Sequence, residues 1–304
     1  MATSLEQVSI PDLRKRALDL TNTIPDRNDA IHYLKSLKTP QCLTILQEAL
    51  QNKQESSQLL QHEMAYALGQ TQDNTMIPFL CSLVQDHEYA SIVRHEAAEA
   101  LGAIGSSDAL EVLQQYCHSD DRVLADTCIL AVRRVKFYGG EEDGEELEKV
   151  KKEIVSYSSV DPAPGFLRGT KSVDELREIM MKPDEGNLWE KYRAMFALRN
   201  LGTEECVKVL EDALRVKDKN IMGDLTRHEI SYVFGQLGDL AKNSRTFLHE
   251  VIGDESENPI VRHESIEAVG AMEENEETSN LLKSFLDHPE KLVSQSCQVA
   301  LEMQ

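Results

Sequence analysis

Apolar residues recur at helical spacing along almost the whole chain. Their separation by three and four positions is typical of amphipathic helices, and the strict alternation that would indicate strands is almost absent. Four segments align without gaps from a shared His-Glu step, with an apolar residue six positions after the histidine and glycine seven positions after it. They are HEMAYALG (62–69), HEAAEALG (95–102), HEISYVFG (228–235) and HESIEAVG (263–270). The pattern predicts an all-α protein of repeated units.

Weaker copies of the same segment occur before, between and after the strong ones. With the histidine as the reference position, the units lie at residues 28, 62, 95 and 126, and then at 192, 228, 263 and 295. Intervals of 31 to 36 residues, with two helices per unit, are typical of an α-solenoid of the HEAT type. We therefore predict eight HEAT-like helical hairpins in two halves of four units.

The interval between residues 126 and 192 is about twice as long as the others and differs in composition. It contains paired glycines, a dense run of charges and the prolines of SSVDPAPGF (158–166), which are typical of a linker that is helical only in part, over 144–156. The predicted domains are an N-terminal half over 1–136, an acidic Pro/Gly linker over 137–182 and a C-terminal half over 183–304.

Charge and composition narrow the classes of function. The net charge of −21 argues against nucleic-acid binding, which needs a basic surface, and favours a cationic partner. No apolar run approaches the 18 residues or so of a membrane span, and the N-terminus lacks the apolar stretch of a secretory signal. The six cysteines form no CxxC motif, so we predict reduced core cysteines and a cytoplasmic location.

Histidine, glutamate and glycine occur together in the four strong units. Two other His-Glu steps, at His87 and His249, lie away from the reference position, and neither has glycine seven residues later. The four weaker units lack both the His-Glu step and the glycine. Composition alone does not explain this co-occurrence, and we interpret it as a shared site.

Helix geometry relates the glycine to the histidine. A residue seven positions after the histidine lies about 20° from it around the helix, and glycine inside a helix costs about 1 kcal/mol. We expect the missing side chain to let either a ligand or a facing helix approach closely. The apolar residues two, three and six positions after the histidine are predicted to pack against neighbouring units.

Adjacent histidine and glutamate residues diverge by about 100° on a helix, so one step cannot easily direct both onto one ion. Stacked units can share an ion, His62 with His95 and His228 with His263, each pair with one carboxylate. Such donors suit iron, manganese, zinc or nickel, and two histidines with one carboxylate suggest non-haem iron. Two facing halves would form a binuclear centre with a cleft for substrate. The preceding residues Arg94, Arg227 and Arg262 are expected either to pair with these carboxylates or to form surface ion pairs.

The paired His-Glu steps, the VDPAPGF linker and the YRAMFALRNLG segment (192–202) together resemble the deoxyhypusine hydroxylases. The resemblance covers nearly the whole chain. It implies a HEAT-like fold and a non-haem di-iron centre with two irons per chain, as Fe²⁺ or Fe³⁺. It also implies O2-dependent hydroxylation of deoxyhypusine on the precursor of translation initiation factor 5A, and no nucleic acid or membrane as partner.

The resemblance also implies roles for individual residues. One iron is expected at His62, His95 and Glu96, and the other at His228, His263 and Glu264. Glu63 and Glu229 are expected to bind the substrate amines, with metal ligation as the alternative. The competing interpretation is a non-enzymatic α-solenoid scaffold for a basic protein, which explains the repeats and the charge but not the shared His, Glu and Gly.

Overall fold

The computed structural model describes residues 9–141 and 144–303. Parts of all three predicted domains lie outside these ranges, namely residues 1–8 of the N-terminal half, residues 142 and 143 of the linker, and residue 304 of the C-terminal half. The described residues form helices and no strand, and none of their helices is long and apolar enough to cross a membrane. The predicted all-α solenoid is confirmed. The α-helices are α1 (Ile10–Leu18), α2 (Ile24–Leu37), α3 (Pro40–Leu50), α4 (Gln58–Thr71), α5 (Ile77–Gln85), α6 (Ser91–Ile104), α7 (Leu110–Tyr116), α8 (Arg122–Tyr138), α9 (Gly144–Val150), α10 (Val173–Met180), α11 (Leu188–Leu201), α12 (Glu204–Leu214), α13 (Asp224–Leu237), α14 (Arg245–Gly253), α15 (Pro259–Gly270), α16 (Glu276–Ser284) and α17 (Lys291–Met303).

The helices form an outer and an inner layer, and the inner layer closes into a ring. Each inner helix packs against the outer helix before it and against the next inner helix. The last inner helix, α17, also contacts α2 and α4, and Ser57 donates a hydrogen bond of 2.8 Å to Gln295 across this seam. The His-Glu steps therefore face the middle of a closed ring. The inner helices are α2, α4, α6, α8, α11, α13, α15 and α17.

The glycines of three of the four strong units, Gly69, Gly102 and Gly270, bring neighbouring inner helices together, whereas a Cβ atom on Gly235 would lie at an ordinary contact distance of 3.4 Å from Ala268. A Cβ atom on Gly69 would lie 2.6 Å from the Cα atom of Ala100 on α6, and one on Gly270 would lie 2.8 Å from the Cβ atom of Ala300 on α17. These distances are shorter than side chains tolerate, so only glycine allows this approach. Of the two reasons expected for the glycines, the structure supports the facing helix.

None of the three arginines before the His-Glu steps pairs with a His-Glu carboxylate, and only Arg262 forms an ion pair with an exposed group, Glu255, at 3.1 Å. All three are buried and point away from the centre of the ring, toward the end of the preceding outer helix. Arg94 donates to the carbonyl oxygen of Val84 at 3.0 Å, and Arg262 donates to that of Ile252 at 2.9 Å. The C-terminal carbonyls of a helix lack partners within the helix and attract cations. Arg227 makes the equivalent bonds at the end of α12.

The predicted linker contacts both halves of the ring. The backbone N–H of Val160 donates to Gln70 on α4 at 2.8 Å, while Asp161 accepts from Arg199 on α11 at 2.6 Å. Within the linker range, helix α9 ends at residue 150 instead of 156, and α10 packs as an outer helix against α11 and α12. The segment around residue 160 thus fastens the two halves together on one side of the ring.

All six cysteines are free thiols, as predicted. Cys42, Cys128, Cys206 and Cys297 are buried, whereas Cys81 and Cys117 are half-buried. The described fold therefore depends on packing and not on disulfide bonds.

Candidate metal centre

The histidines of the four strong units meet at the centre of the ring. His62 and His95 stack as neighbours with ring centroids 5.8 Å apart, and His228 and His263 do the same at 5.9 Å. The two pairs are also close across the halves, because the His62 and His263 centroids lie 5.2 Å apart and those of His95 and His228 lie 5.4 Å apart. Four separate helices thus bring four imidazoles into one buried cluster.

One glutamate from each half completes the cluster. A carboxylate oxygen of Glu96 lies 3.0 Å from Nε2 of His62, and one of Glu264 lies 3.3 Å from Nε2 of His228 and 3.1 Å from Nε2 of His263. Two sets of potential ligand atoms result. One set contains His62, His95 and Glu96, and the other contains His228, His263 and Glu264 together with His62.

Six imidazole nitrogens in this cluster are buried and make no hydrogen bond of good geometry, although the Nε2 atoms of His62, His228 and His263 lie within 3.3 Å of a carboxylate oxygen. The six nitrogens are Nε2 of His62, both ring nitrogens of His95 and of His228, and Nε2 of His263. An unpaired polar atom in a protein interior costs about 1–3 kcal/mol, so such a concentration in one place needs a reason. Imidazole nitrogens and carboxylates are ligands for transition metals, and the donor set present therefore fits a metal centre.

Glu63 and Glu229 line a cavity beside the cluster together with their preceding histidines, His62 and His228. Both glutamates are buried, and the cavity has a volume of about 210 Å³. One Glu63 oxygen lies 3.2 Å from Nδ1 of His62, and the other lies 3.6 Å from Nε2 of His32. A larger cavity of about 910 Å³ lies between α8 and α11 but contains none of the predicted site residues.

The chain is similar to known proteins over most of its length. Models of HEAT repeats and of PBS lyase HEAT-like repeats match residues 53–133 and 190–215, respectively. Over 290 residues, the chain is 40% identical to deoxyhypusine hydroxylase-B of Oryza sativa subsp. japonica, covering 95% of this chain and 90% of the relative. It is 39% identical over 290 residues to deoxyhypusine hydroxylase of Homo sapiens, covering 94% and 88%. The chain belongs to the deoxyhypusine hydroxylase family.

A solved structure agrees with this family assignment. The structure of human deoxyhypusine hydroxylase in complex with glycerol matches with a TM-score of 0.83 at 38% identity, covering 96% of this chain and 94% of that one. The resemblance seen in the sequence is thereby confirmed.

Sequence reasoning missed two pairs of residues that line the cavity of this family member. They lie four positions after the motif histidines, where the helix returns to the same face. Tyr66 and Tyr232 follow the first His-Glu step of each half, and Glu99 and Glu267 follow the second. In the order of the chain, the residue four positions after the motif histidine is tyrosine, glutamate, tyrosine and glutamate. This regular alternation was the signal that could have identified them.

Two further lining residues come from the degenerate first unit. His32 and Lys35 on α2 line the cavity next to Glu63, and the Lys35 ammonium lies 4.7 Å from the centroid of the Tyr66 ring. The signal at His32 was weak, because it lies four positions after an asparagine and not after a motif histidine. The two other His-Glu steps lie outside the cluster, with His87 exposed in a turn and His249 bonded to Thr278 on the outer layer.

Glu63 and Glu229 hold corresponding positions in the two halves, but burial and neighbouring groups shift their pKa values in opposite directions. Burial raises the pKa of Glu229 well above its ordinary value, and the nearby Glu99 carboxylate raises it further. Burial also acts to raise the pKa of Glu63, but the hydrogen bond with His62 outweighs it and the pKa falls to about 2. Burial, together with the neighbouring imidazoles, holds the pKa of His95 well below its ordinary value. A neutral His95 keeps a lone pair free for a metal ion.

Proposed function

We propose that this protein uses O2 to hydroxylate the deoxyhypusine side chain on the precursor of translation initiation factor 5A, forming hypusine. The observation that carries the proposal is the buried cluster of four imidazoles and two carboxylates at the centre of the ring, whose potential ligand atoms form two sets. Membership of the deoxyhypusine hydroxylase family supports it independently.

Two irons per chain are the proposed cofactors. His62, His95 and Glu96 would hold one, and His228, His263 and Glu264 would hold the other. When bound, two Fe²⁺ ions would supply the two electrons with which one oxygen atom of O2 is reduced to water while the other is added to the substrate, and an external reductant would restore Fe²⁺. A ring nitrogen of His62 also lies within 4.8 Å of the ligand atoms of His228, His263 and Glu264. The orientation of the His62 ring would therefore decide which of the two irons it binds.

The remaining carboxylates would hold the substrate. Deoxyhypusine carries two amino groups, which are protonated at neutral pH. Glu63 and Glu229 lie beside the cluster without belonging to either proposed ligand set, and ionised carboxylates form strong charge-assisted hydrogen bonds with ammonium groups. Burial raises the pKa of Glu229, and a bound ammonium group would lower that pKa again, because a nearby positive charge favours the ionised carboxylate. Both carboxylates are buried, which strengthens these bonds.

Both halves would be needed for activity. We propose that residues 1–136 and 183–304 each contribute one ligand set, and that the linker over 137–182 keeps the sets opposed. The contacts of Val160 and Asp161 with α4 and α11 support this role for the linker.

The test combines metal analysis with a hydroxylation assay. Protein produced with iron is expected to contain about two irons per chain and to add one oxygen atom to a deoxyhypusine-bearing precursor, in air but not under argon. Mass spectrometry of the modified peptide measures the addition. A protein that binds the precursor but neither iron nor oxygen would instead support the non-enzymatic scaffold.

A further inference from the structure

Tyr66 and Tyr232 form a hydrogen bond across the centre of the ring. Their hydroxyl oxygens lie 2.9 Å apart, and we call this pair the phenol bridge. The two tyrosines occupy equivalent positions in the two halves, four residues after His62 and His228. The midpoint between equivalent atoms lies on the axis that relates the halves. The phenol bridge and the middle of the histidine cluster therefore lie on one pseudo-twofold axis.

The phenol bridge lies on the linker side of the cluster. From each histidine to its tyrosine, four residues advance about 6 Å along the axis of the helix, toward the C-terminal ends of α4 and α13. Beyond the bridge, Gln236 donates to the Tyr232 hydroxyl at 3.1 Å and to Ser159 of the linker at 2.8 Å. On this side, the histidine cluster is thus covered first by the two phenols and then by the linker segment.

The exposure of the lining residues shows where the cavity meets solvent. The side chain of His32 is 44% exposed, whereas the corresponding Phe196 is buried. The exposed His32 lies next to Glu63, and Glu63 neighbours Glu267. Glu229 and Glu99 instead neighbour each other and Asp161 of the linker. The cavity therefore has an outer carboxylate pair next to His32, Glu63 and Glu267, and an inner pair next to the linker, Glu99 and Glu229.

We propose that the phenol bridge is a positioning element that orients the substrate's diamine arm. The arm enters past His32 and lies between the bridge and the histidines, with its terminal ammonium at the inner carboxylate pair. Its secondary ammonium then lies at the outer pair. The proposal rests on the proposed function, because it assumes a long side chain with two amino groups.

The chemistry of the arm explains why such an element is useful. Charged hydrogen bonds fix the two ends, but the methylene groups between them can rotate and present several hydrogens to the metal centre. Two aromatic rings joined by a hydrogen bond form an apolar wall that limits this rotation. Hydroxylation of a methylene group creates a stereocentre, so a chain held in one orientation gives one product stereoisomer.

The first test replaces the hydroxyls and keeps the rings. In Tyr66→Phe and Tyr232→Phe, we expect unchanged iron content, a kcat reduced by roughly three- to tenfold for the loss of one hydrogen bond, and a mixture of product stereoisomers. Tyr89→Phe is the matched control. The Tyr89 hydroxyl donates a hydrogen bond of 3.1 Å to the carbonyl oxygen of Leu50, and Tyr89 does not line the cavity. Chiral chromatography of the hydrolysed product measures the stereoisomers.

Three results distinguish failure of the positioning role from failure of the proposed function. A single stereoisomer at unchanged kcat from both variants would overturn the positioning role, as would loss of iron, which would make the bridge a support of the metal centre. If the unaltered protein does not hydroxylate deoxyhypusine at all, the proposed function fails before the bridge is in question.

The second test fixes the direction of the arm. Glu99→Gln should weaken binding of the deoxyhypusine precursor roughly 10- to 100-fold, the effect of losing a charged hydrogen bond, but should leave an analogue with methyl in place of the terminal amine unchanged. Glu267→Gln should weaken both ligands. If the sensitivities are reversed, or if neither variant discriminates between the ligands, the orientation is wrong.

Discussion

The two halves build equivalent parts of the centre, but their surroundings differ. In the N-terminal half, α2 presents His32 and Lys35 to the cavity, and the side chain of His32 is 44% exposed. At the corresponding positions in the C-terminal half, α11 has Phe196 and Arg199, which are buried. Arg199 also binds Asp161 of the linker. The repeated units thus create a nearly symmetric centre, and the parts that differ open it on only one side.

The largest effect tests whether the two halves contribute equally. His95→Ala and His263→Ala each remove one proposed ligand, and we expect both to lose iron and at least about 100-fold in activity, because metal activates the oxygen. Iron analysis and the hydroxylation assay measure this. His87→Ala and His249→Ala are the matched controls and should retain both. Strong loss from one half alone would show that the halves are not equivalent in metal binding.

We call the side of the ring covered by the linker the sealed side and the side with His32 and Lys35 the open side. A substitution on the sealed side should lower the free energy of unfolding more than one on the open side. Arg199→Ala leaves the partly buried Asp161 without its partner, and removal of one member of a buried ion pair costs about 3 kcal/mol. Lys35→Ala removes a contact with the Tyr66 ring and the attraction of a half-buried ammonium to Glu63 and Glu267, each worth about 1 kcal/mol or less. Urea unfolding gives both values, and similar costs would contradict the distinction between a sealed and an open side.

The carboxylates next to the histidines should divide into two classes. Glu63→Gln and Glu229→Gln should keep their iron and weaken substrate binding by about 1.5–3 kcal/mol, the worth of a charged hydrogen bond. Glu96→Gln and Glu264→Gln should lose iron instead. Iron content and substrate affinity measured on all four variants decide the matter. If Glu63→Gln and Glu229→Gln lose as much iron as the others, all four glutamates act as ligands.

The smallest expected effect concerns acid stability. In the C-terminal half Arg227 pairs with Glu257, whereas Arg94 of the N-terminal half bonds to a carbonyl oxygen and has no carboxylate partner of this kind. Burial acts to raise the pKa of Glu257, but its bonds to Arg227 and Lys217 prevail and lower that pKa to about 2.

A carboxyl group with a lowered pKa in the folded state stabilises the protein above its unfolded pKa of about 4.3, and this contribution disappears as the pH falls toward about 2. Between pH 5 and pH 3, the unaltered protein should therefore lose about 1 kcal/mol more stability than Glu257→Gln. Urea unfolding at both pH values measures the difference, and equal losses would argue against the ion pair.

The fold and the convergence of the histidines could be predicted because both depend on a short period. Helical spacing places His62, His95, His228 and His263 on inner faces, and the repeats bring those faces together. The closure of α17 onto α2 was not predictable, because it depends on the small rotation between successive units summed over the array. The directions of the buried arginines were also missed, since their partners are backbone carbonyls that no sequence pattern displays.

The contact of α17 with α2 also has a mechanical consequence. An open solenoid behaves as a spring, because small rotations between neighbouring units add up along its length. Joining its ends makes it a hoop, in which a rotation at one junction must be cancelled at the others. Stretching and twisting of the array are thereby suppressed, and the distances across its centre remain constant while the outer layer fluctuates. A protein made of many flexible junctions thus obtains a rigid interior.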